Sequence, residues 1–207
     1  LPRGEAGGGF GGDPPHRAKK IPGPCRQAPR PSVLWASSTE EAALAQLTQK
    51  ISPFLWFLDG KAEEAAEFYV SVFDNSRITS VLRNGDTMSG PNGTPLTVGF
   101  QLEGQDFTAI NGGGDFKFSW AVSFVVLCES QEEVDRYWAR LVEGGGKHNQ
   151  CGWLQDRFGL SWQITPKILL ERTHDADPVK AARAFQAMLQ MTKIDIAAIE
   201  RAYRGED

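Results

Sequence analysis

Few side chains in this 207-residue chain could do chemistry, and they are scattered. Imidazole, the usual acid-base group and metal ligand near neutral pH, occurs at His16, His148 and His174, in the leading segment or in loops. The thiols Cys25, Cys128 and Cys151 form no CxxC pair and leave one cysteine over. That usage fits a reducing compartment better than a disulfide frame. Cys151, beside Gly152 at the start of a strand, is the thiol placed to act as a nucleophile. Structural burial is the simpler reading of this thiol. A dinucleotide or adenosyl cofactor would need a glycine-rich turn between a strand and an immediate helix. Gly112-Gly113-Gly114 is followed by another strand and reads as a linker. Asp156, Asp175 and Asp177 read as turn and cap residues. Glu63, Glu64, Glu132 and Glu133 read as solvated first-turn charges that complement helix dipoles.

The elements that would position these groups are repeated. An apolar run, Ile51 to Leu58, passes through Asp59-Gly60 into a helix whose Ala65, Phe68, Tyr69 and Val72 lie on one face. The run Trp120 to Leu127 leads likewise into a helix carrying Val134, Tyr137, Trp138 and Leu141, each its counterpart plus 69. After the first helix, strands are predicted over Arg77–Arg83, Thr94–Glu103 and Asp106–Asn111, separated by Asn, Asp, Ser and Gly turns. The second helix opens on the capping box Ser130 to Glu133 and closes at Gly144-Gly145-Gly146. A short strand over Lys147–Gln150 follows, then a hairpin of Cys151–Asp156 and Leu160–Thr165. The fold class is therefore α+β, two tandem βαβββ modules (51–112 and 119–166) within a domain over 48–172. A helical extension occupies 173–207, its two helices opened by Asp177-Pro178 and by Asp195.

Residues 1–47 differ in kind. Glycine, proline and basic residues crowd the stretch up to about residue 36, and no apolar period runs through it. Such a segment buries too little to offset its chain entropy and is predicted to be disordered. It lacks the apolar centre of a secretory signal, and Glu5 and Asp13 argue against an arginine-rich targeting peptide. A short amphipathic helix fits 38–47. The expectation is that much of this segment lies upstream of the natural start, with translation from Leu47; intact-mass analysis of protein made from the native gene tests it. A net charge of −4 offers no basic surplus for nucleic acid, and no apolar run reaches the ~18 residues of a membrane span.

Two strand-helix-three-strand units in tandem resemble the vicinal oxygen chelate superfamily of glyoxalases, extradiol dioxygenases and bleomycin and fosfomycin resistance proteins. The stretches 51–73, 91–113, 129–138 and 151–166, with KIDIAAIERAY at 193–203, are similar to its PhnB-like branch, often labelled 3-demethylubiquinone-9 3-methyltransferase. Leu58 is an extra residue against that pattern. The missing cofactor loop marks the methyltransferase label as a transferred one.

The resemblance implies a sheet curled around a cavity, with divalent metal ligands on the first and last strand of each unit. Here those places hold Ser52, Pro53 and Phe54, then Asp106 and Asn111, and Gln163 where the family often has glutamate. The usual ligand set is incomplete, so no cofactor is predicted, a divalent metal remaining the alternative. The implied cavity would be walled by Trp56, Phe100 and Trp153, with Asn111, Ser123 and Gln163 orienting a ligand. Period two puts Trp162 and Gln163 on opposite faces, and the family's ligand position sets Gln163 toward the cavity and Trp162 away from it, under a helix. The expected protein is cytoplasmic and homodimeric, binds a small organic molecule, and has neither a nucleic-acid nor a membrane partner. A metal-dependent lyase, isomerase or dioxygenase, and a drug-sequestering resistance protein, are the alternatives.

Overall fold

The computed structural model describes residues 49–86 and 90–206. The leading segment, with the helix expected over 38–47 and the start expected at Leu47, lies outside the described residues. The first unit runs β1 (Phe54–Phe57), α1 (Ala62–Val72), β2 (Arg77–Arg83), β3 (Pro95–Leu102) and β4 (Gln105–Asn111). The second runs β5 (Ser123–Cys128), α2 (Gln131–Arg140), β6 (Lys147–His148), β7 (Trp153–Gln155) and β8 (Ser161–Pro166). Three helices follow: α3 (Lys167–Thr173), α4 (Pro178–Leu189) and α5 (Ile196–Arg204). Each unit forms a four-stranded mixed sheet, ordered β1-β4-β3-β2 and β5-β8-β7-β6. In both, the first strand runs parallel to the last and the other pairings are antiparallel. The duplication read from the helices thus extends to strand order.

Alternation along the strands divides each sheet into two faces. Leu55 and Phe57 of β1, Val98, Phe100 and Leu102 of β3, and Phe107 and Ala109 of β4 are buried on the face that α1 covers. Leu154, Trp162 and Ile164 do the same beneath α2, and both inner faces join one apolar cluster with Tyr69, Val72, Val134 and Leu141. The opposite faces are open: Phe54 and Trp56 project from β1, and Val125 and Leu127 from β5.

Local chemistry sets the helix starts. Asp59 and Gly60 take left-handed φ of 56° and 74°, turning the chain into α1, where Lys61 at the cap supplies no side-chain bond. In α2, Ser130 Oγ accepts from Glu133 N, while the Glu133 carboxylate accepts from Glu129 N rather than from the cap residue's own amide. Asp177 accepts from Val179 N and Lys180 N, and Asp195 from Ala198 N.

Three expectations shift. Pairing in the second unit begins at Ser123 rather than Trp120, because β8 begins at Ser161, its register partner. The strand after α2 holds only Lys147 and His148. Helix α3, not expected, follows β8 directly; seven residues with Leu169 alone buried carry too little periodicity to be read.

The closing helices surround a second, smaller cluster of Leu169, Ala184, Ile194 and Ile199. Backbone bonds join it to the second unit: Cys151 N donates to Met191 O and Gly152 N to Thr192 O. Gly152 has φ of 79°, and a Cβ there would stand 2.7 Å from Ile164 O. Gly152→Ala therefore combines left-handed strain with a backbone clash, and an expected loss of about 1–3 kcal/mol follows. Urea unfolding measures it, and a midpoint equal to the parent's would refute the close approach.

Candidate functional site

Three of the six residues expected to line a cavity come together on the outer face of the second sheet. Ser123 lies on β5 and Gln163 on β8, and Gln163 Nε2 donates to Ser123 Oγ at 2.8 Å. Trp153 is the register partner of Gln163 across β7 and β8, so both side chains stand on one face. The Trp120 ring lies 6.3 Å from that of Trp153 and tilts against it. Val125 is also a register partner of Gln163; it is 53% exposed, and Leu127 on the same face is 49% exposed. A polar pair thus sits in an apolar, aromatic-edged surface. Gln163 Oε1 has no protein donor among the described residues, so the amide keeps an acceptor for a ligand.

The other three are placed differently. Trp56 is on the outer face of β1, its ring laid against the Gly112 backbone and edge-on to Phe116 at 5.5 Å. Phe100 is not a cavity wall: it is 1% exposed beneath α1, stacked on Phe107 at 5.2 Å. Its place on the inner face of β3 follows from sharing that face with Val98 and Leu102. Asn111 is engaged by its own unit. Its Oδ1 accepts from Ala62 N at 2.8 Å and its Nδ2 donates to Pro95 O at 2.9 Å. It therefore supplies the cap that Lys61 does not, while its edge borders a recess of about 670 Å³ shared with Trp56 and Ile110.

A second recess, about 570 Å³, joins Trp56 and Glu64 to residues that the sequence alone does not single out. Trp56, Phe116, Phe118 and Phe158 line it with Lys61, Glu64 and Arg157. The Arg157 guanidinium lies 4.3 Å over the Phe68 ring and 3.4 Å from Glu64. Lys61, which donates to Glu64, and Arg157 hold that exposed carboxyl below its usual range. The alternation of aromatic and basic residues in 116–118 is the available signal, hidden when the segment is taken as linker.

Asp156 is more than a turn residue. It accepts from Phe158 N and Leu160 N as a turn carboxylate would, and also from Tyr69 Oη at 2.8 Å and Trp162 Nε1 at 2.9 Å. Burial holds its carboxyl above the usual carboxylate range, against the opposing pull of the Trp162, Tyr69 and backbone donors. Burial also pushes the Tyr69 hydroxyl well above its ordinary value, so Tyr69 stays a proton donor. The four donors satisfy the carboxylate within the protein.

The remaining reactive groups stand apart. His148 stacks flat on Trp138 at 4.3 Å, and His174 closes α3 with its Nδ1 at 2.8 Å from Leu170 O. Cys128 is buried, which pushes its thiol up to about 12. Cys151 is half-buried with φ of 58°; His16 and Cys25 lie outside the described residues. Among the described residues no three His, Cys, Asp or Glu side chains gather at one point. The strand positions where the fold family places a divalent ion carry Ser52, Pro53, Phe54, Asp106, Asn111 and Gln163; Asp106 is the one carboxylate among them and accepts from Gln101 Nε2 at 3.0 Å, and such a donor set does not fit a divalent ion. Nor is any helix of the described residues long and apolar enough to cross a membrane.

Two βαβββ units with identical strand order define a protein of the vicinal oxygen chelate fold. Residues 49–165 match the family model described as 3-demethylubiquinone-9 3-methyltransferase. The chain belongs to that family. Among solved structures it is similar to a PhnB protein from Bacillus cereus described in the same terms, at 39% identity and a TM-score of 0.53, covering 57% of this chain and 99% of that one. A Pseudomonas aeruginosa protein, PA1353, matches at 19% identity and a TM-score of 0.49, covering 57% of this chain and 98% of its own. The fosfomycin resistance protein FosX from Mesorhizobium loti matches at 16% identity and 0.43, covering 61% and 99%. The curated proteins contain no match.

Proposed function

We propose that the protein binds a small organic molecule on the outer face of its second sheet. The Ser123–Gln163 pair carries this reading. A hydrogen-bonded hydroxyl and amide stand on an otherwise apolar surface beside Trp153 and Trp120, where sheet packing does not require them. Such a surface suits a flat ligand that lies against indole and accepts or donates one hydrogen bond at Gln163. Ligand binding, rather than methyl transfer, is the function proposed. The glycines after Asn111 lead into a linker and not into a helix, so they build no anion-binding turn for a nucleoside cofactor.

The working form is proposed to be a cytoplasmic homodimer. The open apolar faces at Phe54, Trp56, Val125 and Leu127, and the unpaired edges of β1 and β5, give a second copy a surface to cover. That copy would supply the wall opposite Gln163. Light scattering at micromolar concentration should return twice the chain mass, and a clean monomer removes this part. The extension over 173–207 is proposed to brace the second unit through Met191 and Thr192.

A thermal-shift screen of flat aromatic carbonyl compounds identifies binders. Gln163→Leu should then weaken the best of them about two- to tenfold, the value of one hydrogen bond, while leaving the melting temperature in place. Affinity unchanged by the substitution would reject the role given to Gln163.

A further inference from the structure

The link between α4 and α5, residues 190–195, is held from two sides. On one side the turn before β7 donates to it, Cys151 N to Met191 O at 2.7 Å and Gly152 N to Thr192 O at 2.8 Å. On the other, Gln131 at the start of α2 grips it with a single amide. Its Nε2 donates to Ile194 O at 3.2 Å, and its Oε1 accepts from Ile196 N at 2.9 Å. Lys193 adds an ion pair to Asp135, one turn further along α2. Ile194 is 1% exposed and packs against the turn, where a Cβ on Gly152 would stand 3.2 Å from its Cγ1.

The turn needs that grip. Cys151 and Gly152 take left-handed φ of 58° and 79° in succession, a backbone that is costly for a residue other than glycine. Gly152 is buried, so without Thr192 its N–H would be left unpaired away from water. Trp153 comes next in the chain. Its carbonyl accepts from Asn149 N at 2.7 Å, and its N–H donates to Gln150 O at 3.1 Å. Gly152 O accepts from Ile164 N at 2.8 Å, one residue from Gln163. The direction in which the Trp153 indole leaves the sheet is therefore set by a turn whose own shape depends on the link.

We propose that the 190–195 link is a strap, pinned by Gln131, that positions Trp153 against Gln163 and Trp120. Gln131 is thus a positioning residue, and its consequence for ligands rests on the role proposed for Ser123 and Gln163. An amide suits the place, because one side chain must both donate to a carbonyl and accept from an N–H. A carboxylate could only accept there, and an ammonium only donate.

The test uses the full chain and Gln131→Met, which keeps the length of the side chain and removes its bonds to Ile194, Ile196 and Asp135. Gln131→Ala is the second variant. Amide hydrogen exchange should quicken about tenfold at Cys151 and Gly152, while Val98 and Phe100 in β3 stay within about twofold of the parent. The indole N–H resonance of Trp153, identified by its loss in Trp153→Phe, should move, because the neighbouring Trp120 ring makes it sensitive to small displacements. That of Trp56 should not. Neither readout involves a ligand, so the strap can fail while the ligand surface stands, and the reverse. Unchanged exchange at Cys151 and Gly152, or a Trp153 resonance that stays in place, would overturn the strap. A uniform rise in exchange across both sheets would reduce Gln131 to general stability and overturn it equally.

Discussion

Asp156→Ala is expected to lower folding stability by about 3–5 kcal/mol, the scale of removing one partner from a buried polar network. The carboxylate is 3% exposed and receives four donors. Two of them, Phe158 N and Leu160 N, belong to its own turn, and Trp162 Nε1 to the next strand. Tyr69 Oη comes from α1, 87 residues earlier. Truncation strands all four in a space too apolar to hydrate them well, and relief from burying a charge offsets only part of that. Urea unfolding reads the loss; a change below about 1 kcal/mol, the net worth of one ordinary hydrogen bond, would show the network to be dispensable.

The same group gives a pH dependence with a defined sign. Burial raises the folded-state pKa of Asp156 above its ordinary value, so folding favours the protonated acid. Its contribution to stability is full below the ordinary carboxylate value and is lost as pH rises through the raised folded one. Tyr69→Phe removes a donor that stabilises the charged form. The loss should then extend to higher pH, at an added cost of about 1 kcal/mol near neutrality. Parallel stability profiles for the parent and Tyr69→Phe would refute the coupling.

Trp162→Ala is the second large effect, about 3–5 kcal/mol for deleting a buried indole. Trp162 is 2% exposed, with the rings of Tyr69, Phe73 and Phe124 within 5.6 Å of its own. Deleting it opens a cavity where both units meet and takes a donor from Asp156. Losses at Trp162 and Asp156 should therefore be less than additive. Its neighbour Gln163 is the control: one residue on, it faces the other way, and Gln163→Leu should leave stability within about 0.5 kcal/mol. Equal destabilisation by the two substitutions would contradict the division of faces.

That division is legible in the amino-acid sequence, because alternation along a strand is a property of the chain itself. The same is true of the duplicated helices and of the caps at Ser130, Asp177 and Asp195. Each depends on residues a few positions apart. The roles of Phe100 and Asn111 are not legible there. The strands that carry them are, but which of their faces α1 covers depends on how the sheet folds over the helix. Asn111 then reaches back 49 residues to cap α1, a partner no local pattern could name.

The sequence by itself therefore determined two βαβββ units and the alternation that divides each strand into two faces. Only the tertiary structure decided that Asp156 ties the two units together and that Ser123 and Gln163 share a hydrogen bond. Periodicity and turn chemistry act over one or two turns of chain. Burial and hydrogen-bond partners are set by residues that meet from far apart.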